Sequence, residues 1–350
     1  MKKLSSCSLF LLLITFISAT QAKAQDVATD PTAYMNAISD ASTNMNKAYM
    51  AYISASAHSG RKRKIEKMRD QAVESILACQ STITYMSPFK GDDSYRKESL
   101  KYVQLCYKVF NDDYAHIVDM EDIAQRSYDD MQAFLLLQQA TNDTLQVAVK
   151  RINKAQRDFG AKYGVNIIDQ KSELSDKMEI ANHLGEYRNK VFLLFFKCNW
   201  EDNQLSDAFT QKNVTKIEQI RSALDKYAID GLAVLDTMKG FDNDGALTDA
   251  CRQALSFYKE EAETELPKLT NFFLQQENFD KLKAAMDAKG DQRTQQDVDA
   301  FNKAVADINA AANASNQVNA DLNSGRNDIN KNWMETDAKF TDNHTPYYSG

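Results

Sequence analysis

Proline and glycine are both scarce, at 4 and 11 among 350 residues. Average usage would give about 17 and 25. Both residues punctuate turns and strand edges, so their scarcity excludes a chain of many short strands and points to few turns and long helices. Histidine numbers only 4, and none of the five cysteines stands in a C-x-x-C pair. The usual spacing of a structural zinc site is therefore missing. Beyond the extreme N-terminus no apolar run is long enough to span a bilayer: "VFLLFF", residues 191–196, meets Lys197 after six residues.

The N-terminus has the three parts of an export signal. Met1-Lys2-Lys3 is positive, Leu9 to Ser18 is apolar, and Ala22-Lys23-Ala24 is an A-x-A cleavage signal. The apolar part is about ten residues, against the ~20 that a spanning helix needs. Cleavage after Ala24 is expected, leaving Gln25 first. "LSSC", Leu4 to Cys7, looks like a lipid-attachment box but precedes the apolar stretch that it should follow, so Cys7 leaves with the signal. The expected location is the periplasm or the cell surface, with no transmembrane segment in the mature chain. Losing three lysines and no acid takes the formal charge from −7 to −10. An acidic chain of this kind disfavours nucleic acid as a partner.

The helical period is plain after residue 61. Ile65, Met68, Ala72, Ile76, Cys79, Ile83 and Met86 recur in steps of three and four, the seam of a helix packed in a bundle or coiled coil. "SPFKGDD", residues 87–93, breaks it. The next helix carries Leu100, Val103, Tyr107 and Phe110 on one face. "KIEKMR" at 64–69 is matched by "KIEQIR" at 216–221, an offset of 152, and the loop "MSPFKGDDS" by "MKGFDNDGA" at the same offset. Further matches drift only slightly, with "YK" at 107 and 258, "AVKRIN" against "AVADIN" at 148 and 304, and "NK" at 46 and 189.

The fold expected is all-α: two tandem duplicated four-helix units of long up-down antiparallel helices. The expected divisions are the signal over 1–24, unit one over 25–164, a linker over 165–173, unit two over 174–337 and a loose tail over 338–350. Helices are expected near 31–59, 61–86, 94–120 and 123–162, then 174–208, 213–238, 246–288 and 292–337. Pro31 suits a helix start, and Pro267 should kink or break its helix. The apolar stretches "FLLLQ" (134–138) and "VFLLFFKCNW" (191–200) read as central core. Antiparallel register separates Cys79 from Cys106 by ~9 Å and Cys198 from Cys251 by ~16 Å. A disulfide wants Cα atoms within ~7 Å, so buried thiols are expected.

No catalytic constellation emerges. A di-iron bundle needs Glu-x-x-His pairs, but Glu179 and His183 are four apart, and His116 has only Asp113 before it. "DNDG", Asp242 to Gly245, resembles part of a calcium loop, but its first and last ligand positions would be Gly240 and Cys251. There is no G-x-S-x-G, no Gly-rich phosphate loop and no Cys–His neighbourhood. The acidic cluster over 111–130 reads as a solvated helix face. The chain is therefore expected to be no enzyme and to need no metal or cofactor.

One charged stretch stands out. In "AHSGRKRKIEKMRDQ", residues 57–71, six of the nine residues from Arg61 to Arg69 are cations. At 100° per residue they ring the helix, with Glu66 and Asp70 placed to pair with Arg63 and Lys67. Where unit one has Arg61, Lys62 and Arg63, unit two has Asn213, Val214 and Thr215. The candidate anion- or partner-docking residues are His58, Arg61, Lys62, Arg63, Lys64, Lys67 and Arg69. "YISASAHSGRKRKIEKMR", the 86–94 loop, "KIEQIRSAL" and "ALSFYKEEAETELPKLTNFFL" resemble an uncharacterised family of exported helical surface proteins of Bacteroidetes and spirochaetes. That resemblance implies an envelope location and transfers no functional residue. Two function classes follow: an envelope structural or interaction protein that binds another protein or an anionic surface polymer, or a helical-bundle carrier of a small apolar ligand or lipid.

Overall fold

The computed structural model describes residues 27–118, 127–168 and 172–349, without the side chains of 112–118 and 138. The expected export signal lies outside these residues, as do the side chain of His116 and the centre of the acidic cluster. The described residues are all-α, and their only β features are two isolated bridges. The helices are α1 (Pro31–His58), α2 (Lys62–Tyr85), α3 (Ser94–Val118), α4 (Tyr128–Tyr163), α5 (Glu173–Asn203), α6 (Leu205–Thr210), α7 (Val214–Thr237), α8 (Ala246–Glu260), α9 (Leu266–Lys289) and α10 (Gln295–His344). Among them no helix is long and apolar enough to cross a membrane.

Two compact units emerge. The first comprises the described residues up to Asn189 with those from Ala338 onward, and the second is Lys190–Asp337. The division therefore falls inside α5 instead of the 165–173 segment. The reason is apolar burial: Met178 belongs to the unit-one core, with Val165, Ile167 and Leu174 packed against it. Residues 169–171 lie outside the described residues.

In unit one, α1 packs on α2, α2 on α3, α3 on α4, and α4 returns to α1. Asp30 caps α1 by accepting the Thr32 N–H at 2.8 Å, with Pro31 following. Gly164 ends α4 in the left-handed conformation, φ 73°. Gly160 is needed inside α4 because the Ile167 side chain approaches where a Cβ would stand, at 2.8 Å. The α2 seam is buried at Ala72, Ile76, Cys79 and Ile83, and Ile65, Met68 and Met86 pack at its ends.

The α2–α3 turn is fixed by paired backbone bonds, Phe89 N–H to Asp92 O at 3.0 Å and the reverse at 2.8 Å. Lys90 and Gly91 both have positive φ, the signature of a type I′ turn. The turn delivers Phe89 into a ring cluster, 5.2 Å from Tyr34, 5.4 Å from Phe159 and 4.9 Å from Tyr163. It also holds Asp92 against Lys162 Nζ at 2.7 Å. Exactly 152 residues later the geometry recurs. Phe241 and Asp244 form the second bridge, and Asp242 and Asn243 take positive φ. Asp244 accepts the Ala246 N–H as Asp92 accepts the Ser94 N–H. The "DNDG" stretch is thus a turn and helix cap.

Unit two is built from the C-terminal part of α5 with α6, α7, α8, α9 and α10. Phe195 stacks on Trp333 at 4.4 Å, so the apolar 191–200 run is a core element here. The 134–138 run is not: Leu135 is buried, but Leu136 and Leu137 are 63% and 61% exposed. They point away because one helix face alone meets the bundle.

Two further expectations change. The helix expected over 174–208 breaks at Gln204, between α5 and α6. The expectation at Pro267 holds: a π-turn, Glu261–Glu265, precedes it and separates α8, which ends at Glu260, from α9, which starts at Leu266. Proline removes the amide and crowds the preceding turn, and a wider turn carries the chain past it. The tail is not loose. α10 runs to His344, Phe340 and Thr345 are buried, and the Tyr348 N–H donates to Ser54 Oγ at 2.9 Å. All four described cysteines are buried free thiols.

Candidate anion-docking site

Arg61 occupies the N-cap of α2 in extended backbone, φ −98°, ψ 103°. That is capping geometry, yet arginine has no acceptor for the open N–H groups of the first turn. No side-chain cap forms, and no acid stands in that turn. Lys62, Arg63 and Lys64 fill it instead. Each faces the positive end of the helix dipole, at a cost of about 0.3–1 kcal/mol at low salt. α7 begins differently: Asn213 accepts the Lys216 N–H at 3.0 Å.

Arg61, Lys62, Arg63, Lys64 and Lys67 are exposed. Lys62 lies 3.7 Å from Glu66, a weak surface pair. Arg61, Arg63, Lys64 and Lys67 form no ion pair among the described residues. The expected Arg63–Glu66 and Lys67–Asp70 pairs are replaced by Lys62–Glu66 and Arg69–Asp70, the latter at 3.5 Å. The five exposed cations thus surround one helix start, where the Arg61 N–H donates to Ser59 Oγ at 3.3 Å and the Lys64 N–H to the Arg61 carbonyl oxygen at 2.9 Å, leaving the Lys62 and Arg63 N–H groups open. Such a surface is suited to phosphate, sulfate or carboxylate groups.

Two of the seven sequence candidates leave the exposed set. His58 has a side chain only 7% exposed, with Nδ1 2.7 Å from Asp342 Oδ1. Its ring stacks on Tyr347 at 3.6 Å and 6°. It pins the C-terminal segment instead of facing solvent, because a flat half-apolar ring gains most when sandwiched. Arg69 is half-buried, its side chain 22% exposed, because its position borders the α2 seam.

Unit two holds a polar centre that the sequence reading missed. Arg326 forks onto Asp202, with Nε 2.9 Å from Oδ2 and Nη2 2.9 Å from Oδ1. The same Nη2 bonds Glu261 Oε1. Asn199 links the Tyr258 hydroxyl at 2.9 Å to Asn330 Oδ1 at 3.1 Å beside it. Burial raises the carboxyl pKa of both Asp202 and Glu261, against the lowering effect of Arg326. A signal existed: Leu247, Cys251, Ala254 and Tyr258 step by four, three and four, and the next step of three lands on Glu261. Among the described residues no three potential ligands converge as a metal site would require.

Compared with protein-family models, with curated proteins and with solved structures, the chain matches none.

Proposed function

We propose that this chain is an exported helical interaction protein of the bacterial envelope, and that the cationic start of α2 docks an anionic surface polymer. One observation carries the reading: Arg61 to Lys64 oppose the stability of the helix that bears them. Arg61, Arg63 and Lys64 have no ion pair among the described residues to offset this, and a local rule broken in this way is expected at functional sites. An anion there would meet unfilled N–H donors and unpaired cations together. On a chain that is acidic as a whole, this concentrates attraction at one place instead of spreading it.

The turn geometry recurring at an offset of 152 supports reading the units as tandem copies. On that reading the capped Asn213 start is the plain scaffold version and the Arg61 start is the specialised one. The carrier reading finds less support, because Phe192, Phe195, Phe196 and Trp333 spend their apolar surface on one another.

The test is binding of the mature chain to lipopolysaccharide and to a purified acidic polysaccharide across a salt series. Binding should weaken as salt rises, and the triple change Arg61→Gln, Lys62→Gln, Arg63→Gln should abolish most of it. Binding that is indifferent to salt and to the triple change would overturn the assignment.

A further inference from the structure

The Asp202, Glu261 and Arg326 centre does not balance in charge if both carboxyls are ionised. Two carboxylates and one guanidinium leave a net negative charge in the core of unit two. The Glu261 side chain is fully buried and that of Asp202 is 4% exposed. Like charges that share one buried partner do not both stay ionised, and the cheaper state takes up a proton. Geometry shows which carboxyl takes it. Asp202 receives Arg326 through both Nε and Nη2, whereas Glu261 has Nη2 alone. The second oxygen of Glu261, Oε2, is buried with no N–H or hydroxyl donor on it, and the two carboxyls are near enough for a proton on Glu261 to be donated to Asp202.

Among the described residues, the surrounding elements supply no second cation to this centre. α5 presents Asp202, with Cys198 nearby, α8 presents Tyr258, and α10 presents Arg326. From α7, Arg221 reaches the Ala262 carbonyl oxygen at 3.5 Å, but it is engaged by Glu218 at 2.8 Å. On α9, Lys268 is taken by Glu265 at 2.8 Å. Glu261 is also the first residue of the π-turn, where the Leu266 N–H reaches back to the Glu261 carbonyl oxygen. Such wide turns occur disproportionately at functional sites.

We infer that unit two keeps one proton on the buried Asp202–Glu261 carboxyl pair, chiefly on Glu261, making its core a pH-sensitive element that weakens as that proton is lost. The direction follows from linkage. The folded state binds this proton more tightly than the unfolded chain does. Stability is therefore full at pH below the ordinary glutamate range and falls as pH rises through the raised folded value. The electrostatic cost appears at the joint between α8 and α9.

The experiment compares the mature chain with its Glu261→Gln variant, which mimics the protonated side chain. Unfolding by denaturant is followed from pH 5 to pH 10. The ratio of the two unfolding constants should change with pH, by up to tenfold per unit for one linked proton. A ratio that stays constant over this range overturns the inference. Infrared spectroscopy of the wild-type chain at pH 6 gives a readout that needs no stable variant. A protonated-carboxyl stretch should be present and should disappear as pH is raised. Its absence at pH 6 overturns the inference equally.

Discussion

Replacing Arg61 by Asp should stabilise unit one while weakening its binding to anions. The backbone of Arg61 already has the extended conformation of an N-cap, so an aspartate there can accept the N–H groups two and three residues on without moving the chain. A good cap in place of a poor one contributes about 0.5–2 kcal/mol, typically ~1. Reversing the charge beside the helix dipole adds about 0.3–1 kcal/mol at low salt. A total of about 1.5 kcal/mol corresponds to a rise in Tm of about 3–6 °C for a unit of this size. The assay is calorimetric melting of residues 25–350 at pH 7, at low and at physiological salt, with the polymer-binding titration run on the same sample. Only the dipole share should shrink as salt is added, since the exposed charges are screened within about 8 Å. An unchanged or lowered Tm would mean that Arg61 makes a stabilising contact, and the argument that its charge is retained for docking would fail. Asn213 of α7 is the natural control, and Asn213→Ala should lower stability by about 1 kcal/mol.

Three other outcomes are expected. Lys162 and the Ser94 donors hold the Asp92 carboxyl well below the usual carboxylate range, so its contribution to unit one is present above the unfolded value near 3.9 and lost as pH falls; in an acid titration of stability, Asp92→Asn should flatten the acid limb. Gly231→Ala should destabilise unit two by about 1–3 kcal/mol in denaturant titrations, since overpacking a filled core costs that much and its new Cβ would run into Leu255 Cδ2. Deleting residues 345–350 should uncover His58, raising its labelling rate by a histidine-selective reagent read by mass spectrometry, and should lower the Tm of unit one; unchanged labelling would show that the Tyr347 stack does not protect the ring.

The periodicity of apolar residues is local information, and that is why the helices were legible. The α2 seam from Ile65 to Met86 needs only steps of three and four to show which face is buried, and Ile76 and Ile83 are buried as that face requires. Asp30-Pro31 and Gly164 act on residues next to them in the chain, so helix ends could be read there directly. The cationic start of α2 was legible for the same reason: an N-cap and a first turn are made by consecutive residues. The half-burial of Arg69 follows from its place beside the seam, but His58 was not separable from its exposed neighbours, because its burial is imposed from outside the helix that carries it.

By itself, the sequence determined the all-α class, the starts of α1 and α2, and the charge excess at residues 61–67. Tertiary structure decided everything that depends on residues distant in the chain. Asp342 and Tyr347 come 284 and 289 positions after His58, and no local pattern announces that they cover it. The boundary between the units falls within the continuous helix α5, because apolar surface on each part of that helix is claimed by different partners. The polar centre of unit two joins Asp202 of α5, Glu261 of the π-turn and Arg326 of α10. A glutamate in "YKEEAETE" reads as solvated until packing encloses it, and only then does its charge acquire a cost that a proton can relieve.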